Sequence, residues 1–334
     1  AMEKQGIPVS IVPMSRPVSP VEDIAACRQI YAYLKRYAPD IVHAHSAKAG
    51  FLGRIAGRLA GVPSLIYTPH LFPFQAAGSM LKRQCYYLLE RLAATFTQTI
   101  VCVSGSEKDA ALQWRLCGED RLQVIPNGIS PTAPLPSGEE VRQLRNDLRI
   151  PSGSVVIGSV GRLTEQKGYK AFVEAAAEIC REIPEGFFLI AGEGEERSDL
   201  ETRAAEHGIA SRMRLPGNVH APLLYTAACD VYVQPSNWEA FPYSVLDAML
   251  LSKPIVASET GGLPEAIIHE KTGLLAAPGS REALAGHILR LIRERTLRNR
   301  LGRAARTRVT TRFRLDHMID TLQDLYSACH GQRT

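Results

Sequence analysis

The second half of the chain carries its apolar residues in short unbroken runs, Val155-Val156-Ile157, Phe187-Phe188-Leu189-Ile190-Ala191, Val231-Tyr232-Val233 and Ile255-Val256. Between them apolar positions recur every three or four residues. Unbroken runs bounded by turn residues predict buried strands, and the longer period predicts amphipathic helices. Strands are expected over 154–160, 187–191, 212–215, 230–234 and 254–257, and helices over 139–148, 169–183, 198–207, 221–228 and 242–251. The chain reads as helical again from Arg281 to Ala328. The first half alternates in the same way. A short strand at Val9-Ser10-Ile11-Val12 precedes a helix over 21–37 with apolar residues at 24, 27, 30, 31 and 34. A buried strand at Asp40-Ile41-Val42-His43-Ala44 and a Gly- and Ala-rich helix over 47–60 follow, then strands near 65, 100 and 123 with helices over 79–94 and 105–116. Strand and helix in strict alternation predict α/β architecture with parallel, doubly wound sheets. Pro131, Pro134 and Pro136, between Asn127 and Gly138, read as a crossing between two domains.

Two strand-to-helix loops of the second half carry charge. In Gln234 to Met249, Q-P-S-N-W-E-A-F-P-Y-S-V-L-D-A-M, Glu239 falls on the loop after a strand, and Asp247 lies in the helix that Pro242 opens. In open α/β sheets such loops sit at the carboxyl ends of strands, where ligands bind. Two carboxylates there, beside no evident metal ligand, suit the hydroxyls of a sugar or a ribose; as structure alone, Glu239 is solvated surface and Asp247 an exposed helical residue. In Val155 to Gly168, V-V-I-G-S-V-G-R-L-T-E-Q-K-G, a strand ends at Gly161, and Arg162 and Lys167 share the loop before the next helix. A diphosphate leaving group gains charge as its bond to a sugar breaks, and cations plus a helix N-terminus offset that charge without a metal. A planar guanidinium and a point-charge ammonium make a sensible pair for two phosphates, although a loop Arg and Lys are ordinarily solvated charges.

Taken together, the two stretches resemble the retaining glycosyltransferases of family 4, which have the GT-B fold of two Rossmann-like doubly wound parallel-sheet domains facing a central cleft. That family carries a Glu, seven intervening residues and a second Glu, with Phe two positions after the first; here the order is Glu239, Phe241, Asp247, then Ala248 and Met249. Asp247 departs from the pattern by one methylene. Gly261-Gly262-Leu263-Pro264-Glu265 and Asn127-Gly128 also stand where the family has them. The resemblance implies that Glu239 holds donor-sugar hydroxyls, that Asp247 faces the nucleotide ribose and that Arg162 and Lys167 clasp the pyrophosphate. It implies further that Gly161, Asn218, Val219, Ala240, Phe241 and Pro242 surround the donor. His70 then occupies the position of the active-site histidine, with His45 and Lys48 beside the acceptor. The domains it implies are an acceptor-binding one over 1–130, a nucleotide-sugar-binding one over 131–312, and a terminal segment 313–334 whose helix returns to the first domain. Family members open with a strand, a glycine-rich loop and a helix ahead of the first element seen here, so this chain reads as lacking them.

Composition bounds this reading. A chain of 334 residues with 45% hydrophobic content is long enough for two globular domains, and no apolar run reaches membrane-span length. The seven cysteines form no C-x-x-C, which fits buried thiols in a reducing cytosol better than disulfides or zinc. The chain has no D-x-D, so the metal-bridged diphosphate arrangement is not expected, and neither a metal nor a cofactor is. The first 130 residues hold 14 of the 39 Lys and Arg and 9 of the 34 Asp and Glu, so the whole net charge of +5 resides there. The basic residues are dispersed, without the interleaved aromatics or helix-turn-helix pattern of a nucleic-acid binder, whereas an anionic membrane surface or a phosphate-bearing acceptor fits.

The same half offers candidate acceptor chemistry. His43-Ala44-His45 ends a strand with both imidazoles on one face, and His70 follows the next strand in Y-T-P-H-L-F-P-F. Lone histidines are more often structural, but adjacent strand ends line clefts. Leu71-Phe72-Pro73-Phe74 and the amphipathic stretch Met80 to Ala94, with Lys82, Arg83 and Arg91, are candidates for contact with lipid; packing on their own sheet is the plainer alternative. The expected activity is transfer of a hexose from a nucleotide diphosphate sugar, UDP-linked, to a glycan or lipid-linked acceptor, in the cytoplasm or at the inner membrane face. The alternatives are a UDP-sugar epimerase of the same fold and a non-catalytic nucleotide-sugar-binding module.

Overall fold

In the computed structural model, which describes residues 6–15, 17–76 and 78–331, the chain divides into two units. The first comprises the described residues up to Val103, Glu107–Ile125 and the chain from Leu322; the second comprises Ser104–Ser106 and Pro126–Thr321.

The first unit is built on β1 (Ile41–His45), β2 (Ser64–Thr68), β3 (Thr99–Cys102) and β4 (Leu122–Val124), all parallel and in the order β1-β2-β3-β4. Helices α1 (Pro20–Tyr37), α2 (Ala47–Ala60), α3 (Met80–Ala94) and α4 (Gly105–Gln113) alternate with these strands. Strand β2 is buried along its whole length, as the central strands of parallel sheets are. Val9–Val12 forms no strand: those residues are irregular, and Val9 and Ile11 are exposed. Alternation over so short a stretch sets the side chains but supplies no ladder partner. The lipid reading of Leu71–Phe74 is also corrected, because Phe72 and Phe74 are fully buried and stacked at 5.1 Å, inside the core with Ile100, Cys102 and Trp114.

The second unit opens with α5 (Gly138–Asp147), whose Ser137 and Glu140 form a reciprocal capping box. It continues through β5 (Val155–Val160), α6 (Tyr169–Glu182), β6 (Gly186–Ala191), α7 (Arg197–Glu206), β7 (Met213–Arg214), α8 (Pro222–Ala227), β8 (Val231–Gln234), α9 (Tyr243–Leu250), β9 (Ile255–Ser258), α10 (Leu263–Ala266) and β10 (Leu274–Ala276). Helices α11 (Arg281–Arg293), α12 (Arg295–Arg312) and α13 (Leu315–Gly331) complete the chain. The six strands are parallel in the order β10-β9-β8-β5-β6-β7. In chain order this is a doubly wound sheet whose direction of winding reverses between β5 and β8. One core, including Phe172, Ile179, Phe188, Val231, Val256 and Ile288, packs α6, α11 and neighbouring helices on one face. Strand β10 and its three residues were not expected from the sequence, because Leu274-Leu275-Ala276 is too short a run to register.

Candidate functional site

Strands β5 and β8 lie side by side at the reversal point, so the loops that leave their carboxyl ends are neighbours. Backbone and side-chain bonds tie loop 161–168 to loop 235–242. Asn237 N–H donates to Gln166 O at 2.9 Å, Asn237 Nδ2 to Glu165 O at 2.6 Å, and Gln166 Nε2 to Trp238 O at 3.3 Å. The approach is close enough to require glycine. A Cβ on Gly168, at φ +65°, meets Pro235 O at 2.1 Å, and one on Gly261, at φ +52°, meets Glu239 O at 1.7 Å. The Gly261-Gly262 pair after β9 thus lies directly against the backbone of the Glu239 loop.

Glu239 is 5% exposed, not solvated surface. Its Oε1 accepts from Lys167 Nζ at 2.5 Å, Ser236 Oγ at 2.8 Å and Gln234 Nε2 at 3.0 Å, and Oε2 takes part in none of these bonds. Gln234 is itself fully buried; its Oε1 accepts from Tyr232 Oη at 3.2 Å and Ser244 Oγ at 3.0 Å, which fixes which way its amide points. Lys167 and Glu239, read from sequence as belonging to different parts of a ligand, are therefore in contact. Arg162, on the same loop as Lys167, is exposed, with Nη2 at 3.5 Å from Gln166 Oε1. Asp247 is half-buried on α9 rather than exposed, and desolvation lifts its carboxyl to about 6. No hydrogen bond to that carboxyl is formed among the described residues. Phe241 is buried edge-on to Phe313 at 5.1 Å, and its carbonyl accepts from Asn127 Nδ2 at 2.7 Å. Gly161 directly follows β5, Ala240 is buried beside Glu239, and Pro242 stands at the N-cap of α9. Asn218 is exposed and Val219 half-buried after β7. Gln234, Ser236 and Tyr232 were not singled out in the sequence, although two of them stand in the stretch around Glu239; what organises them is the fold of the loop.

In the first unit the carboxyl ends of β1 and β2 bring three histidines together. His43 and His45 stack at 4.2 Å between ring centres, and His45 Nδ1 lies 3.1 Å from His70 Nε2. His43 is bonded through Nδ1 to Tyr326 Oη at 2.6 Å and through Nε2 to Thr68 Oγ1 at 2.8 Å. Desolvation, with the neighbouring rings adding to it, holds His43 down to about 3 and His70 to about 4, and desolvation lowers His45 too. All three are thus neutral at neutral pH. Lys48 reaches α1 instead, with Nζ 2.6 Å from Asp23 Oδ1. Among the described residues no three His, Cys, Asp or Glu side chains converge as a metal ligand set.

Two parallel-sheet α/β units in one chain, the second with a charged, stitched loop pair at the reversal point of its sheet, have the architecture of the GT-B glycosyltransferases. The chain belongs to the group 1 glycosyl transferases: residues 140–308 match the family described as "Glycosyl transferases group 1", and residues 1–128 match the "Glycosyl transferase 4-like domain". Among its relatives is the UDP-Gal:alpha-D-GlcNAc-diphosphoundecaprenol alpha-1,3-galactosyltransferase of Escherichia coli, 30% identical over 94% of this chain and 81% of that protein. The 2-deoxystreptamine glucosyltransferase of Streptomyces kanamyceticus is 29% identical over 80% of this chain and 72% of that protein. In fold the chain is similar to Anabaena HepE, solved in complex with UDP and glucose, at a TM-score of 0.85 and 22% identity, covering 98% of this chain and 88% of that one.

Proposed function

We propose that the chain transfers a hexose from a UDP-sugar to a hydroxyl of a glycan or lipid-linked acceptor, with retention of configuration and without a metal, in polysaccharide or cell-envelope glycan synthesis. The observation that carries this reading is the buried Glu239, whose Oε1 is fixed by three donors while Oε2 stands outside those bonds at the reversal point of the sheet. A carboxylate so oriented is an acceptor for sugar hydroxyls. When a donor binds, Lys167 exchanges or shares its Glu239 partner for the diphosphate. Arg162 and the N-terminus of α6 add positive potential as the leaving group gains charge. The acceptor oxygen forms its bond to the anomeric carbon on the face from which the phosphate oxygen departs, and that phosphate oxygen takes the acceptor's proton. His70 does positioning and electrostatic work and is not a base. The E. coli relative is named for a UDP-galactose donor and a diphosphoundecaprenol-linked acceptor, and HepE was solved with UDP and glucose, which supports a UDP-hexose and a lipid-linked sugar.

The acceptor reading extends to a membrane surface. On α3, Leu81, Cys85, Leu88 and Leu92 are exposed along one stripe, flanked by Lys82 and Arg91, which suits an anionic lipid face. Among the described residues no helix is long and apolar enough to cross a membrane.

The test is proton NMR of the product formed from an α-linked UDP-hexose and a lipid-diphosphate sugar. An α-glycoside is expected. A β-glycoside contradicts retention, and an epimerised UDP-sugar formed without acceptor makes the chain an epimerase.

A further inference from the structure

His70 and Leu71 follow β2 with φ of +52° and +98°, two consecutive non-glycine residues in a region that L side chains seldom occupy. Such a turn persists only where the surroundings impose it. Here a buried carboxylate bonds the turn directly. Glu107 on α4 is 2% exposed; its Oε1 accepts from Leu71 N–H at 2.5 Å and its Oε2 from Val103 N–H at 2.8 Å. The second bond is local to the start of α4 and is what helix capping does. The first reaches 36 positions back along the chain and has no part in capping. His70 is held from its other side by His45, with the two ring nitrogens 3.1 Å apart.

We propose that Glu107 is a positioning residue for His70: its buried carboxylate holds the left-handed His70–Leu71 turn and thereby sets where the His70 imidazole stands. The inference rests on the part proposed above for His70 in transfer. Two backbone N–H groups, one on each oxygen, require a carboxylate. Glutamine offers one acceptor and turns an NH2 toward the other N–H, and aspartate is one methylene too short to span both. The residue most eager to leave the turn is Leu71, at φ +98°, and glycine takes that conformation without a Cβ clash.

The experiment is a double-mutant cycle in the transfer assay, with His70→Ala, Glu107→Gln and both, alongside Leu71→Gly in the Glu107→Gln background. Each single variant is expected to lower kcat by about 10- to 100-fold with donor KM little changed, the cost of a misplaced group. The double variant should be no slower than His70→Ala. Leu71→Gly should restore part of the rate to Glu107→Gln. Losses that multiply in the double variant, or wild-type kcat in Glu107→Gln, overturn the inference while leaving His70's role standing. Wild-type kcat in His70→Ala overturns that role, and the inference with it. Should Glu107→Gln fail to fold, Glu107→Asp takes its place in the same cycle, and a wild-type rate from it overturns the inference as well.

Discussion

Asp247 is half-buried on α9, and desolvation brings its carboxyl to about 6, so it changes charge inside the range where a transfer assay is run. If it accepts a hydrogen bond from the nucleotide ribose, it does so as the anion. The sign follows: below about pH 6 the proton is on, the acceptor charge is lost, and kcat/KM for the donor falls. His43 and His70, at about 3 and 4, titrate too low to produce that limb. We expect Asp247→Asn to flatten the acid limb of the donor kcat/KM profile and to weaken donor use at pH 8; an unchanged limb in the variant refutes the ribose assignment. The sequence placed Asp247 on a helix beside the Glu239 loop but could not give its burial, because that depends on which face of α9 the sheet covers. Glu239 is the converse case. Its residue type and position were legible, while its contact with Lys167, 72 positions away, was not, since only the pairing of β5 with β8 brings the two loops together.

At the scale of elements, the long runs and their periods predicted most strands and helices to within a residue or two, and the misses were short or unpartnered. Val9–Val12 has strand-like alternation without a neighbouring strand, and Leu274–Ala276 is a strand only because β9 lies beside it. Gly261 shows how tightly the elements constrain the site. A Cβ there meets Glu239 O at 1.7 Å in a left-handed conformation, so Gly261→Ala must push the Glu239 loop off β9. We expect a loss of about 2–4 kcal/mol in stability together with a large loss of transfer, read by thermal unfolding and by assay. A variant with wild-type melting and rate would show that the loop tolerates the shift. Helix α3 makes the separate prediction that Leu81→Glu with Leu88→Glu abolishes co-sedimentation with vesicles containing anionic phospholipid. Binding by the unaltered chain should weaken as salt rises. Equal binding by the variant removes α3 as the contact.

For the whole molecule, the reading places the diphosphate on Arg162, Lys167 and a helix N-terminus, so saturating EDTA should leave transfer within about twofold of its untreated rate. Complete loss on chelation, restored by Mg²⁺ or Mn²⁺, contradicts the metal-free scheme. The central claim is that Glu239 acts on the sugar and not on the nucleotide. Glu239→Gln keeps the side chain's size and an oxygen for Lys167, but removes the charge that attracts sugar hydroxyls and releases the ammonium from its anionic partner. The measurement that decides the matter is calorimetry of UDP binding to this variant, set beside its hexose transfer rate. The account predicts UDP affinity equal to or somewhat tighter than that of the unaltered chain, with transfer lowered about 100-fold or more. UDP affinity lost in parallel with transfer would contradict it and place Glu239 at the nucleotide.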